Sequence, residues 1–308
     1  MSEFEIVVNP SQEVFEQIVH HTGETEDWGF QTADYQYWST AFDQFWLFVV
    51  VEKGTTNLVA SVSLARWEHD SESLYSIGMY YCVPKYRGTG QGRIIFNRVM
   101  DIVGDKNACL TGVVKMSEKY ASVHGFDKIA PFWHLFGAIK MADLVIPEDI
   151  PQGFTIKNWD QVDFEEIMKY DRTICTRHRD RIMKNWFNLT DTFTKIIFNA
   201  ENEICGYATI RIVSKNKLSP APFYADSEEA AEALFASLLN DIPNLRNYNA
   251  IGFLYPETNE NCKKLCERFS APGTFKPARF LRVQFTKKFI AFPEQKVYSM
   301  SDCAQQFV

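Results

Sequence analysis

Two periods of apolar residues run along this chain, one of about 3.6 and one of 2, and together they predict alternating short helices and strands. Phe4–Val8 reads as a strand, and Ser11, followed by Gln12 and Glu13, opens a helix towards His21. Asp34–Phe45 predicts a second helix. Phe45–Glu52 and Leu58–Trp67 predict the two arms of a hairpin turning through residues 53–57, and Leu74–Val83 a further strand stopped by Pro84. Gln91–Val103 places Ile95, Val99, Ile102 and Val103 on one helical face. Cys109–Val114 follows as a strand and Lys115–His124 as a short helix closed by Gly125.

Val145 to Gly153 contains two prolines and a glycine and reads as a linker. Beyond it the order repeats: a strand at Phe154–Asn158, helices around Phe164–Cys175 and Arg179–Asn188, strands at Phe193–Asn199 and Ile204–Val213, and a short strand at Pro222–Ala225. A helix carrying Ala231, Leu234, Phe235 and Leu238 on one face follows, then a strand at Ile251–Tyr255 and a helix at Asn259–Phe269. Both halves read β-α-α-β-β-β-α-β-α. The expectation is two mixed α/β domains, residues 1–147 and 152–308, each built around a twisted sheet flanked by helices.

Composition narrows the function classes. The chain has 308 residues, 46% hydrophobic and 23% charged, which is too apolar for a disordered protein and long enough for two cores. A net charge of -7 argues against nucleic acid as the main partner. Seven cysteines form an odd set without a Cys-x-x-Cys pair, which fits free thiols in a reducing compartment. Cys262 and Cys266 have the i, i+4 spacing of metal ligands, but no further ligand is spaced for zinc, and they read as the buried face of a helix. No metal is expected. No apolar run reaches the roughly 18 residues of a membrane span, and no basic-then-apolar leader precedes Pro10, so a cytoplasmic protein without membrane contact is expected, as monomer or homodimer.

The chemistry concentrates after the strand Leu74–Val83. There Arg87-Gly88-Thr89-Gly90-Gln91-Gly92 places three glycines at alternate positions ahead of an amphipathic helix. Such a loop leaves N–H groups uncovered at a helix N-terminus, where the macrodipole adds positive potential, and suits a diphosphate. It lacks the Gly-Lys-Ser/Thr ending of a nucleotide P-loop and the Gly-x-Gly-x-x-Gly spacing of a dinucleotide fold.

This loop, with the later Gly125-Phe126, resembles the GNAT superfamily of acetyl-CoA-dependent N-acetyltransferases, whose loop is Arg/Gln-x-x-Gly-x-Gly/Ala. The resemblance covers about Phe4 to Pro147, and the whole chain looks like a tandem GNAT protein, two mostly antiparallel twisted sheets, whose second copy has Ala221–Asp226 where the loop should be. It implies that acetyl-CoA is held by Arg87, Gly88, Thr89, Gly90, Gln91, Gly92 and Arg93, and by main-chain groups at Tyr81, Cys82 and Val83 on a bulged strand. It also implies that an amine attacks the thioester directly and that Tyr120 protonates the departing thiolate. Tyr120 precedes Phe126 by six residues where the family pattern has five, a rotation of about 100° on a helix. A CoA-binding sensor without turnover is the alternative reading.

For the acceptor, Glu24, Glu26 and Asp27 beside Trp28, with Tyr35, Tyr37 and Trp38, combine negative charge with aromatic faces. Asp27 and Trp28 are therefore expected to bind a small-molecule amine or a lysine-like group. Tyr80 and Tyr81, adjacent on a strand, should face opposite sides, one lining a pocket and one packing. His124 reads as a helix end, His69 beside Asp70 as a surface turn. Arg172, Arg177, Arg179 and Arg181, interspersed with Asp171 and Asp180, read as a salt-bridged helix face.

Overall fold

The computed structural model describes residues 3–69, 72–305 and 308, with the side chains of 68 and 69 excepted. The reading at Asp70, and at the side chain of His69, lies outside the described residues. The first half runs β1 (Phe4–Val8), α1 (Gln12–Glu26), α2 (Asp34–Ala41), β2 (Gln44–Glu52), β3 (Leu58–His69), β4 (Glu72–Cys82), α3 (Gln91–Val103), β5 (Asn107–Val113), α4 (Val114–His124), β6 (Lys128–Ile129) and β7 (His134–Lys140). The second runs β8 (Thr155–Asn158), α5 (Phe164–Asp171), α6 (Asp180–Phe187), β9 (Thr192–Phe198), β10 (Ile204–Val213), β11 (Lys217–Ala225), α7 (Glu228–Asp241), β12 (Ala250–Pro256), α8 (Glu260–Arg268), β13 (Ala278–Phe285) and β14 (Val297–Ser299).

All the strands join one continuous, mostly antiparallel sheet, ordered β1-β2-β3-β4-β5-β13-β7-β12-β11-β10-β9-β8 along its main path. Among the described residues only β4–β5 and β11–β12 are parallel. The centre is a reciprocal exchange. Strand β13, from the second half, pairs with β5 of the first, Val283 opposite Thr111. Strand β7, from the first half, pairs with β12 of the second, Ile139 opposite Ile251. Each half is thus completed by a strand that the other supplies.

Helices α3 and α4 cover one face of the first half, burying Phe96, Val99, Tyr120 and Phe126 against β3–β5. Helices α7 and α8 cover the second, where Phe235, Leu265 and Cys266 are fully buried. Cys262 and Cys266 are therefore core residues, and all seven thiols are free. A third core gathers α1, α2, α5 and α6 from both halves around Trp38 and Trp186. Across it, Arg211 pairs with Asp34 and stacks over Trp186, 4.1 Å from the ring centroid. Among the described residues no helix is long and apolar enough to cross a membrane.

One core residue is anomalous. His134, at the start of β7, is fully buried between Phe132 and Phe292, and neither ring nitrogen has a hydrogen-bond partner among the described residues. Burial pushes its pKa down to about 3. The unfolded chain titrates near 6.5, so below that pH it takes up a proton that the folded state refuses. Stability is therefore lost as pH falls from about 6.5 towards 3. His134→Leu is expected to remove this slope, gaining about 2 kcal/mol on the wild type at about pH 5 relative to about pH 7.5. Urea melts at the two pH values measure it; parallel stability profiles would contradict the assignment.

Candidate functional site

After β4 the chain makes one turn at Pro84–Tyr86 and enters the glycine loop. Gly88 and Gly90 have φ of +87° and +85°, a region that L side chains rarely enter. Gly90 caps α3. Gly92 is glycine for a different reason: a β-carbon there would lie 3.2 Å from the Tyr80 hydroxyl. Within the loop the Arg87 and Thr89 N–H groups close local turns, whereas those of Gly88, Gly90, Gln91, Gly92 and Arg93 have no partner among the described residues. Bare donors at the N-terminus of a helix of 13 residues form an anion cradle.

Beside the cradle the sheet splits. Strands β4 and β5 pair from Leu74 opposite Asn107 to Ile77 opposite Leu110 and then diverge. A bulge drives the divergence: Ser61 and Ser63 of β3 face Tyr81 and Gly78, so β4 carries an extra residue. Met79 takes φ +48° within it, and its carbonyl accepts from the Ser61 hydroxyl at 2.8 Å. The split opens into a cavity of about 1150 Å³ that runs from the glycine loop to the second half.

Residues 87–93, Tyr81 and Cys82 all line this cavity. The Cys82 carbonyl accepts from Arg87 Nε at 3.0 Å. Val83 departs from the expectation. It does not line the cavity, and its N–H is spent on the Val59 carbonyl at 3.0 Å because the β3–β4 ladder continues past the bulge. Tyr80 and Tyr81 face opposite sides of the sheet as expected, Tyr80 towards Phe96 and Tyr120 and Tyr81 towards Trp28. Both nevertheless line the cavity, which passes through the split, and this corrects the expectation that one of them only packs. The Tyr81 hydroxyl hydrogen-bonds that of Thr25 at 2.9 Å.

Tyr120 lines the cavity with its ring stacked on Phe96, centroids 6.0 Å apart. Phe126 lies beyond the helix end, where Gly125 takes φ +75° and the Phe126 N–H reaches back to the Tyr120 carbonyl at 3.1 Å. Burial raises the phenol's pKa, and the neighbouring Tyr80 adds to it, so the hydroxyl keeps its proton at neutral pH. His124 packs on Phe96 and does not line the cavity.

The acidic segment differs from its expectation. Glu26 binds Arg87 at 2.7 Å and Lys115 at 3.2 Å. Burial pulls its pKa up, but the hydrogen bonds from the two cations outweigh it and hold the carboxyl below its usual range. Asp27 is held low in the same way, against its own burial, by Lys217 at 2.7 Å and Lys215 at 3.5 Å. Both acids are therefore already ion-paired with cations. Trp28 lines the cavity, but Tyr37 and Trp38 are core residues outside it.

The second half contributes a wall that sequence reasoning missed, built from Lys217 and Ser219 on β11 and Ala250, Gly252 and Leu254 on β12, with Lys140 on the exchanged β7. No local pattern marks these residues, because their neighbours come from the other half. The second half's own split, where β11 and β12 pair only at Leu218 and Ile251, is filled. There β14 pairs with β11, Phe223 opposite Ser299, and the Met300 N–H donates to the Leu254 carbonyl at 2.9 Å. The N-terminus of α7 is capped by Ser227 and carries Glu228 and Glu229, which oppose an anion. Arg172, Arg179 and Arg181 are ion-paired with Glu165 and Asp180, with Asp171, and with Asp43.

Comparison with known proteins agrees with this geometry. The family described as "Protein of unknown function (DUF1248)" matches residues 1–174, and the "Acetyltransferase (GNAT) domain" family matches residues 167–298. A Caenorhabditis elegans protein, uncharacterized protein F36G3.2, is 26% identical over 168 residues, which is 50% of this chain and 51% of that protein. The match thus spans about half the length of this relative. Among solved structures, a candidate acetyltransferase of Pyrococcus horikoshii superposes with a TM-score of 0.72 at 13% identity, covering 99% of this chain and 97% of that one. A tandem GNAT protein from the clavulanic acid biosynthesis pathway has a TM-score of 0.64 at 12% identity, covering 97% and 100%. At such identities the likeness is one of fold. A GNAT domain family matches its second half and its fold is that of the tandem GNAT neighbours over nearly all of its length; with a family matching more than half of it, the chain belongs to the DUF1248 family.

Proposed function

We propose that the protein is an N-acyltransferase that moves an acetyl or other short acyl group from a CoA thioester to a primary amine within a ternary complex. The observation that carries this is the run of unpartnered N–H groups at Gly88 and Gly90–Arg93, set where the β4–β5 split opens into the cavity. Those donors fit the diphosphate of CoA, with Arg93 and Lys119 adding charge, and the β4 edge at Tyr81 and Cys82 fits the pantetheine arm. CoA supplies an acyl group activated as a thioester. Tyr120, protonated and lining the same cavity, is the candidate donor to the leaving sulfur. The apolar lining desolvates the amine and lowers its pKa, so that it sheds its proton before attack. Residues 1–147 form the copy that carries the chemistry, and 152–308 the copy that walls it.

The test is consumption of acetyl-CoA with a panel of amines, alongside Tyr120→Phe. Thioester loss dependent on amine is expected, with kcat down by about 10²-fold or more in the variant and CoA affinity unchanged. CoA binding without thioester loss for any amine would favour a sensor instead. What keeps that reading in view is that both carboxylates lining the cavity are ion-paired, which leaves no free general base among the described residues there.

A further inference from the structure

The charge of the cavity opposes that of the chain. The protein carries a net -7, yet the cavity is lined by six Lys and Arg residues against two carboxylates. Four of the cations, Arg87, Arg93, Lys115 and Lys119, stand on the glycine loop, α3 and α4, around the cradle. The other two, Lys140 and Lys217, belong to the opposite wall.

Strand register places these two together. Ala250 is opposite Lys140, and the pairing of Leu218 with Ile251 sets Lys217 level with Ala250, so the three form one row across β7, β12 and β11. The next row on the same face is Ala138, Gly252 and Ser219, all small and all lining the cavity. Beyond it Phe136 closes over Gly252, where an added β-carbon would meet its ring at 3.0 Å. The wall is therefore a shallow floor with two cations at one end and an aromatic ring at the other. Lys217 is only partly compensated, since its partner Asp27 is shared with Lys215, and Lys140 has no ion pair among the described residues.

We propose that the acceptor amine carries an anionic group, which docks between Lys140 and Lys217 on this floor. This rests on the acyltransferase reading and sharpens it. It replaces the expectation of a purely cationic acceptor, because the acids meant to gather one are already occupied by Arg87, Lys115, Lys215 and Lys217. A charge-assisted hydrogen bond from a lysine to a carboxylate or phosphate is stronger than one to a neutral acceptor.

The experiment is calorimetry on the full chain saturated with CoA, so that the cations around the cradle are already engaged. N-acetyl-4-aminobutyrate is compared with N-butylacetamide, which lacks the carboxylate, and N-acetyl-O-phosphoethanolamine serves as the phosphate arm. At least one of the two anions is expected to bind at least about tenfold more tightly than the neutral amide, about 1.4 kcal/mol. The tighter of the two identifies the group. Lys140→Met with Lys217→Met should erase the preference while CoA affinity stays the same. Equal binding of the neutral amide, or a preference that survives the double substitution, would overturn the proposal. Because no turnover is needed, the result is separate from the acyltransferase reading, which falls only if thioester is not consumed.

Discussion

Gly90→Val is expected to abolish tight CoA binding without unfolding the protein. The residue sits at φ +85°, where a β-branched side chain is a steric outlier, and the space a β-carbon would enter is empty of protein. That space adjoins the bare N–H groups of Gly90 to Arg93, so the substitution both twists the donors and fills the anion's place. The dissociation constant should rise by at least about tenfold, and by more if the donors rotate away. Gly54→Ala provides the control: it imposes similar strain, φ +75°, in the β2–β3 turn outside the cavity, and should leave CoA binding as it was. The same calorimetry should return one CoA per chain, since β14 fills the second split and Ser227 caps α7. A folded Gly90→Val variant with unaltered affinity would remove the loop from the site.

The largest expected loss of stability is at Gly78, the residue where β4 leaves β5. A β-carbon there would lie 1.9 Å from the Ala304 carbonyl oxygen and 2.7 Å from its carbon. Both are backbone atoms, so no side chain can swing aside. The segment around Ala304 is tied down in turn. Trp38 donates to Asp302 at 2.7 Å, Thr111 donates to the Cys303 carbonyl, and Gln305 donates to Ser63. Gly78→Val must therefore bend β4 or expel residues 302–305 with all of these bonds. A cost of about 3–5 kcal/mol is expected, the range of severe overpacking coupled to broken buried hydrogen bonds. Thermal melts read the loss, and limited proteolysis tells the two routes apart, since expulsion exposes the chain around Cys303. A melting temperature equal to the wild type's would show that the contact is not under constraint.

How much of this was legible in the sequence depended on how local each feature is. Helix α3 and strand β10 were read to the residue, and the glycine loop was recognised, because periodicity and turn chemistry are written in neighbouring residues. Strands β7, β13 and β14 were missed. In β13 the signal was present, since Leu281, Val283 and Phe285 alternate with Arg282 and Gln284, but alternation names a strand and not its neighbours. In β7, Gly137 and the buried His134 blur even that. The ion pairs of Asp27 were illegible for the same reason: its partners, Lys215 and Lys217, lie in the other half of the chain.

The exchange of β7 and β13 also sets the order of events during synthesis. Strand β5 is complete at Val113, but the strand that covers its outer edge begins only at Ala278. Until then the first half leaves the ribosome with an unpaired edge, a template for pairing with another nascent chain. Strand β7, made early, must likewise wait for β12. Neither half should be obtainable alone as a well-behaved protein, and most of the cooperativity of folding should arrive once β13 has been synthesised.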